Sequence, residues 1–271
     1  MKRVLKGVAP ARLVTYQAAV SNGTWDDMRN DALWDGKLAY QDCRSQTVTD
    51  QGGICAFCEI DIRDNHPLKC RVEHFHPKSD IVGGVNWALN WQNMLAVCNG
   101  GTNPHVSTPG FALQPVAKNL SCDAHKDLRI QSNQLPIACE GWVLNPLQIS
   151  ASPSLFAVRK DTGFLEPDHA ACQAAEPWNG NKHATVCALV AHTIEMLNLN
   201  CDRLAMSRLV VVRDIEKSKK KQREKGLSTA IGLDNLAQQY FRYPWPRFFT
   251  VLRTCLGSAA ESHLQQINYQ G

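Results

Sequence analysis

Apolar positions recur at helical spacing towards both ends of the chain and lose that rhythm in between. Residues 11–20 and 25–51 read as helical. Thr24 stands before Trp25, Asp26 and Asp27 as a cap followed by first-turn acids, and Gly52 and Gly53 close the second stretch. From Ile54 to about Lys126 the periodicity gives way to cysteine, histidine, proline and glycine. Residues 131–168 read as loops and short strands, with Leu155 to Val158 and the turn Asp161-Thr162-Gly163 predicting a hairpin. Helical spacing returns at Asn181. It predicts a helix over 182–198, a link at Asn198-Leu199-Asn200, a second helix over 201–225 closed by Gly226, and a last one opened by Pro246 and running to Leu256.

The predicted fold class is therefore α+β, mainly α, without internal repeats. A helical segment over 1–53 precedes a ligand-rich module over 54–130, and a hairpin and further helices fill 131–271. With 44% hydrophobic and 20% charged residues, the chain has ordinary globular composition and enough apolar content for a real core. No apolar run is long enough to span a membrane, and the N-terminal stretch lacks an apolar centre of signal-peptide length, so a cytoplasmic location is the expectation. A net charge of +4 is compatible with a polyanionic partner without requiring one. The basic run from Lys217 to Lys225 reads first as a solvated helix end.

The 11 cysteines change the picture more than the charge does, because in such a compartment they argue for metal ligation by some of them rather than for disulfides. Cys172, Cys187, Cys201 and Cys255 fall in or near helical stretches and read as core. Cys55 and Cys58 are different: a C-x-x-C turn brings two thiolates to one tetrahedral ion, and Cys98 and Cys122 are the preferred completing pair because they would staple the module's two halves. His66 and Cys70 form a rival pair with finger-like spacing.

Between the cysteines lie residues suited to phosphodiester hydrolysis. Glu73 and His74, on a short strand from Val72 to Phe75, pair a hard oxygen ligand with an imidazole that titrates near neutrality. Neighbours on a straight strand face opposite ways, so a shared site requires the chain to bend at His74, and His76 competes for the role. Asn93 precedes a short apolar strand ending at Cys98. A break of small and turn-forming residues follows, from Asn99 through Pro104 and onward. Ser121 then reads as an N-cap that places Asp123 in the first turn of a helix.

Taken in order, Cys55-Ala-Phe-Cys58-Glu59, Val72-Glu-His-Phe-His-Pro-Lys78, Trp91-Gln-Asn-Met94, Cys98 and Cys122-Asp-Ala-His-Lys126 resemble the zinc-knuckled HNH (ββα-metal) nucleases. The narrower likeness is to the PtuB-like HNH component of Septu-type and retron-associated anti-phage systems. Trp25-Asp-Asp27, Leu144-Asn-Pro146 and Leu197-Asn-Leu-Asn200 also look like that group. The resemblance implies a general base at His74, a metal-binding acid at Glu73, a loop-pinning asparagine at Asn93, and the motif's third letter at Asp123. It further implies structural Zn²⁺, catalytic Mg²⁺ or Mn²⁺, a nucleic-acid substrate and a PtuA-like ATPase partner. Two features depart from the pattern: the second half of the knuckle is split between Cys98 and Cys122, and the third letter is an aspartate, for which His125 is an alternative. Lys78 and Lys126 are candidate phosphate contacts or solvated surface lysines. DNA is the favoured substrate over RNA, and a non-catalytic zinc module that docks nucleic acid or a protein is the remaining alternative.

Overall fold

The computed structural model describes residues 1–80, 82–102 and 117–271, so the turn-forming break read between Cys98 and Ser121 lies from Asn103 to residue 116 outside the described residues. The N-terminal part holds α1 (Ala11–Ala19), α2 (Trp25–Asn30) and α3 (Gly36–Asp50). Thr24 caps α2 through a reciprocal box: its hydroxyl accepts the Asp27 N–H at 3.0 Å, and the Asp27 carboxylate accepts the Thr24 N–H at 2.9 Å. The single helix expected over 25–51 is two. The Asp31 carboxylate accepts the N–H groups of Trp34 at 2.8 Å and Gly36 at 3.0 Å, and Asp35 adopts a left-handed backbone (φ 56), so the chain turns before α3 begins.

Strands β1 (Cys70–His74) and β2 (Met94–Cys98) pair antiparallel, with Cys70 opposite Cys98, Glu73 opposite Leu95 and His74 opposite Met94. All of β2 is buried, as its unbroken apolar run requires. Both α3 and α4 (Cys122–Gln131) contact it, and the Gln51 side chain bonds its centre, giving to the Ala96 carbonyl at 2.7 Å and accepting the Ala96 N–H at 2.7 Å.

The hairpin expected near 155–163 is present as β3 (Phe156–Val158) and β4 (Leu165–Pro167). Six helices follow: α5 (His169–Ala174), α6 (Val186–Met196), α7 (Asp202–Glu224), α8 (Thr229–Tyr240), α9 (Phe249–Leu256) and α10 (Ser258–Gln266). The helix expected from residue 182 starts later because Thr185 caps it, accepting from the Ala188 N–H at 3.1 Å. The helix expected from Pro246 starts at Phe249, and α5, α8 and α10 were not read. Among the described residues no helix is long and apolar enough to cross a membrane.

Two apolar clusters hold these elements. The larger runs from Met1 to Tyr269 and joins the C-x-x-C turn and β2 to the C-terminal helices. The smaller packs α1, α2 and α3 against residues 88–94, so the N-terminal helices support the start of β2 directly.

Candidate active site and metal centre

Four sulfurs converge where the C-x-x-C turn, the end of β2 and the start of α4 meet. The ligand atoms of Cys55, Cys58, Cys98 and Cys122 all lie within 4.8 Å of one another, with Cys58–Cys98 and Cys98–Cys122 at 3.7 Å and Cys55–Cys122 at 3.9 Å. Thiolates about 2.3 Å from one ion at tetrahedral angles stand about 3.8 Å apart, so the spacing fits a four-coordinate ion such as zinc. The split knuckle closes because Ser121 donates from its backbone to the Gly100 carbonyl at 2.9 Å, bringing the two segments together. Gly100 is needed there: with φ 66, a Cβ on it would lie 2.4 Å from the Ser121 carbonyl oxygen.

The surroundings fit a metal-bound tetrathiolate. Arg208 is 1% exposed and Arg203 6%, and neither pairs with a carboxylate among the described residues. Arg203 donates to the Ser121 hydroxyl at 2.7 Å, and Arg208 to the carbonyls of Gly163 at 3.1 Å and Leu199 at 2.6 Å. Burial opposes both charges, and sulfurs of the cluster favour them, Cys98 and Cys58 foremost for Arg203 and Cys58 for Arg208. A divalent ion with four thiolates carries a charge of −2, which balances two guanidiniums; four neutral thiols would leave Arg203 without an anion and Arg208 with only Glu59, which the Met1 ammonium already pairs at 3.2 Å. Without a cation, burial pushes the Cys58 and Cys122 thiols far above the ordinary thiol range. Next to the cluster, the buried Glu59 carboxylate accepts from the Thr250 N–H at 2.8 Å and the Thr250 hydroxyl at 2.7 Å, which ties the C-x-x-C turn to α9.

A second group of polar residues lies at the other end of the β1–β2 pair. Strand pairing stops at His74, the chain bends at Phe75 and His76, and the Asn93 side chain takes over: its oxygen accepts the His76 N–H at 2.7 Å, and its amide donates to the carbonyls of His76 at 2.9 Å and Trp87 at 3.0 Å. His74 donates from Nε2 to the Ala88 carbonyl at 2.9 Å and meets the Trp25 ring edge-on, with centroids 4.7 Å apart. That bond leaves Nδ1 as the proton acceptor. Burial brings the His74 pKa down to about 4, so the ring is neutral at neutral pH, and it sits within electrostatic reach of Lys78, Lys126 and Asp123.

Glu73 is buried, bonds Lys126, and lies close enough to Asp123 for the two carboxylates to act on one another. Burial, reinforced by the Asp123 carboxylate and opposed by Lys126, holds it well above the usual carboxylate range. Asp123 is 5% exposed; Arg71 Nε lies 2.8 Å from its Oδ2, while its Oδ1 has no hydrogen-bond partner. Two facing carboxylates with a buried, unpartnered oxygen fit a hard cation. Two residues not singled out from the sequence belong to this group. Arg71 shares a strand face with Glu73 at period 2. Asp127 lies one helical turn beyond Asp123, and partial burial together with Asp123 raises its pKa. Both periodicities were available signals.

The alternatives are placed elsewhere. His76 stacks on Trp87 at 4.2 Å and is held at both nitrogens, Nδ1 by Glu140 at 2.6 Å and Nε2 by Asp80 at 2.8 Å, which leaves it no nitrogen for a water. His125 binds the Met196 carbonyl at 2.8 Å through Nδ1. His66 takes the Leu68 N–H at 3.2 Å on an exposed loop, and neither it nor Cys70 joins the four-sulfur cluster. Lys126 corrects both sequence readings: on the face of α4 that meets β1, it is 4% exposed and bonds Glu73, so it is neither a solvated lysine nor a free phosphate contact. Lys78 is half-exposed and 3.5 Å from Asp26. Trp91 is core, donating to the Gly7 carbonyl at 2.9 Å.

Along 210 residues the chain is 37% identical to an Escherichia coli protein named "Retron Ec83 putative HNH endonuclease"; the match covers 77% of this chain and 78% of that one. No family model matches the chain. A likeness of that extent places the chain in the family of HNH endonucleases. It is a nuclease, acting on nucleic acid.

Proposed function

We propose that the protein hydrolyses phosphodiester bonds, in DNA ahead of RNA, at a ββα-metal site built from β1, β2 and α4. The observation that carries this reading is the neighbouring pair of buried carboxylates Glu73 and Asp123, with Asp123 Oδ1 unpartnered, within electrostatic reach of a neutral imidazole. Glu73 and Asp123 would hold Mg²⁺ or Mn²⁺, which when bound supplies charge stabilisation to the phosphate and the departing 3′ oxygen. His74 takes the proton of the attacking water at Nδ1, while its Nε2 stays on the Ala88 carbonyl and fixes the tautomer. Asn93 holds both ends of the segment from His76 to Trp87 and so keeps the base in place. Lys126 offsets the charge of Glu73, and Lys78 contacts a substrate phosphate. Zn²⁺ in the four-sulfur cluster is structural.

The relative's name refers to a retron. This supports a nuclease of an anti-phage system; a PtuA-like ATPase partner and a cytoplasmic setting rest on the sequence resemblance to PtuB-like proteins alone. The test is cleavage of labelled DNA and RNA by zinc-loaded protein with Mg²⁺ or Mn²⁺. His74→Ala should lower the rate by about 10²–10⁴-fold, the size expected for a positioned base, with zinc content and circular dichroism unchanged. Equal cleavage by the variant would remove His74 from the mechanism, and faster cleavage of RNA would reverse the substrate order.

A further inference from the structure

Away from both sites, two cysteines and a histidine meet where α5 packs on α6. Cys187 Sγ lies 3.4 Å from His169 Nδ1, and the Cys172 thiol is near enough to Cys187 to be acted on by it. His169 is exposed and Cys187 partly so, whereas Cys172 is buried with its thiol 3.8 Å from the Leu155 carbonyl. These features mark a reactive thiol with a base beside it and a second thiol in reach, in contrast to an inert core cysteine.

We propose that Cys187 is a modification site for hydrogen peroxide and related small peroxides, with His169 as its base and Cys172 as the resolving thiol. His169 Nδ1 accepts the Cys187 proton. The thiolate sulfur attacks one peroxide oxygen, the O–O bond breaks, and the departing hydroxide takes that proton as water, leaving Cys187 as a sulfenic acid. Cys172 then attacks the Cys187 sulfur. The S–S bond forms, the S–O bond breaks, and the Cys172 proton leaves with the hydroxyl as a second water. Two thiols are oxidised and one peroxide is reduced. The order of attack follows from access and environment: burial, a contribution from Cys187, and the nearby carboxylates of Asp168 and Glu176 push the Cys172 thiol up to about 12, so Cys172 waits as a thiol while Cys187 meets solvent.

The test treats the zinc-loaded full chain with dilute hydrogen peroxide and maps its thiols by mass spectrometry, with zinc release followed in parallel. Lys182 lies between the two cysteines, so trypsin separates them unless sulfur joins them. The expected result is a reductant-reversible Cys172–Cys187 link formed before any zinc is released. Cys172→Ser should trap Cys187 as a sulfenic acid that a dione reagent captures. His169→Asn, a surface change, should slow alkylation of Cys187 by iodoacetamide about 10-fold at neutral pH. If knuckle cysteines oxidise first, or if Cys187 reacts no faster in the wild type than in His169→Asn, the proposal is overturned.

Discussion

Asn93 does more hydrogen bonding per side chain than any other residue of the candidate active site. Its two donated bonds and one accepted bond all go to backbone groups of His76 and Trp87, and the side chain is 4% exposed. Alanine would leave three backbone groups short of partners, at about 1–3 kcal/mol for each one that water cannot reach. Asn93→Ala is therefore expected to lower thermal stability and cleavage together while the zinc content stays at the wild-type level. Stability loss with full activity would show that the segment keeps its shape without the asparagine. His74 gives a prediction with a sign. Its folded pKa, about 4, lies below the unfolded value of about 6.5, so the unfolded chain binds more protons between the two. The stabilisation is complete above about pH 6.5 and is lost as pH falls towards 4, on the order of 3 kcal/mol in all. In His74→Gln that share of the acid destabilisation should vanish from denaturant melts taken between pH 7 and 4.

Elements were legible where local chemistry announces them. The Thr24 box, the turn at Gly226, the β2 run and the hairpin strands stand close to where their residues place them, because caps, left-handed turns and unbroken apolar runs act within a few residues. The break between α2 and α3 was not legible: Asp31 works as a turn acceptor only once Trp34 and Gly36 fold back to it, and the apolar spacing runs on regardless. Similarly, the spacing of Cys55, Cys58, Cys98 and Cys122 pointed to one ion, and the structure brings the four sulfurs together. Pairing distant in sequence stayed hidden, as with His76 on Glu140 or Lys126 buried on Glu73, since nothing near those residues signals the partner. The capping of α2 matters to the site because Trp25, its first residue, packs against His74. Thr24→Ala should cost about 1 kcal/mol, seen as a lower melting temperature, and should loosen the imidazole's packing. An unchanged melting temperature would mean that burial of Trp25 and Met28 alone fixes the helix.

For the molecule as a whole, the four-sulfur cluster joins the turn after α3, the end of β2, the start of α4 and, through Arg203 and Arg208, helix α7. Charge balance makes the metal and the arginines depend on one another. Chelation should therefore destabilise the whole chain and not the knuckle alone, because it leaves Arg208 buried beside thiols that burial drives towards neutrality. The sharper prediction is a change of sign. In the metal-loaded protein, Arg208→Met removes a counter-charge from a buried dianion and should destabilise by about 3–5 kcal/mol, the usual cost of breaking one side of a buried pair. In the chelated protein the same change removes a cation that shares only Glu59 with the Met1 ammonium, and it keeps most of the side chain's volume, so the loss should shrink towards zero or become a gain. Melting both proteins with and without zinc closes this cycle, and a chelator competition should show weaker zinc binding by the variant. Equal destabilisation of the two forms would mean that Arg208 serves only its bonds to Gly163 and Leu199, and that the cluster's charge is balanced elsewhere.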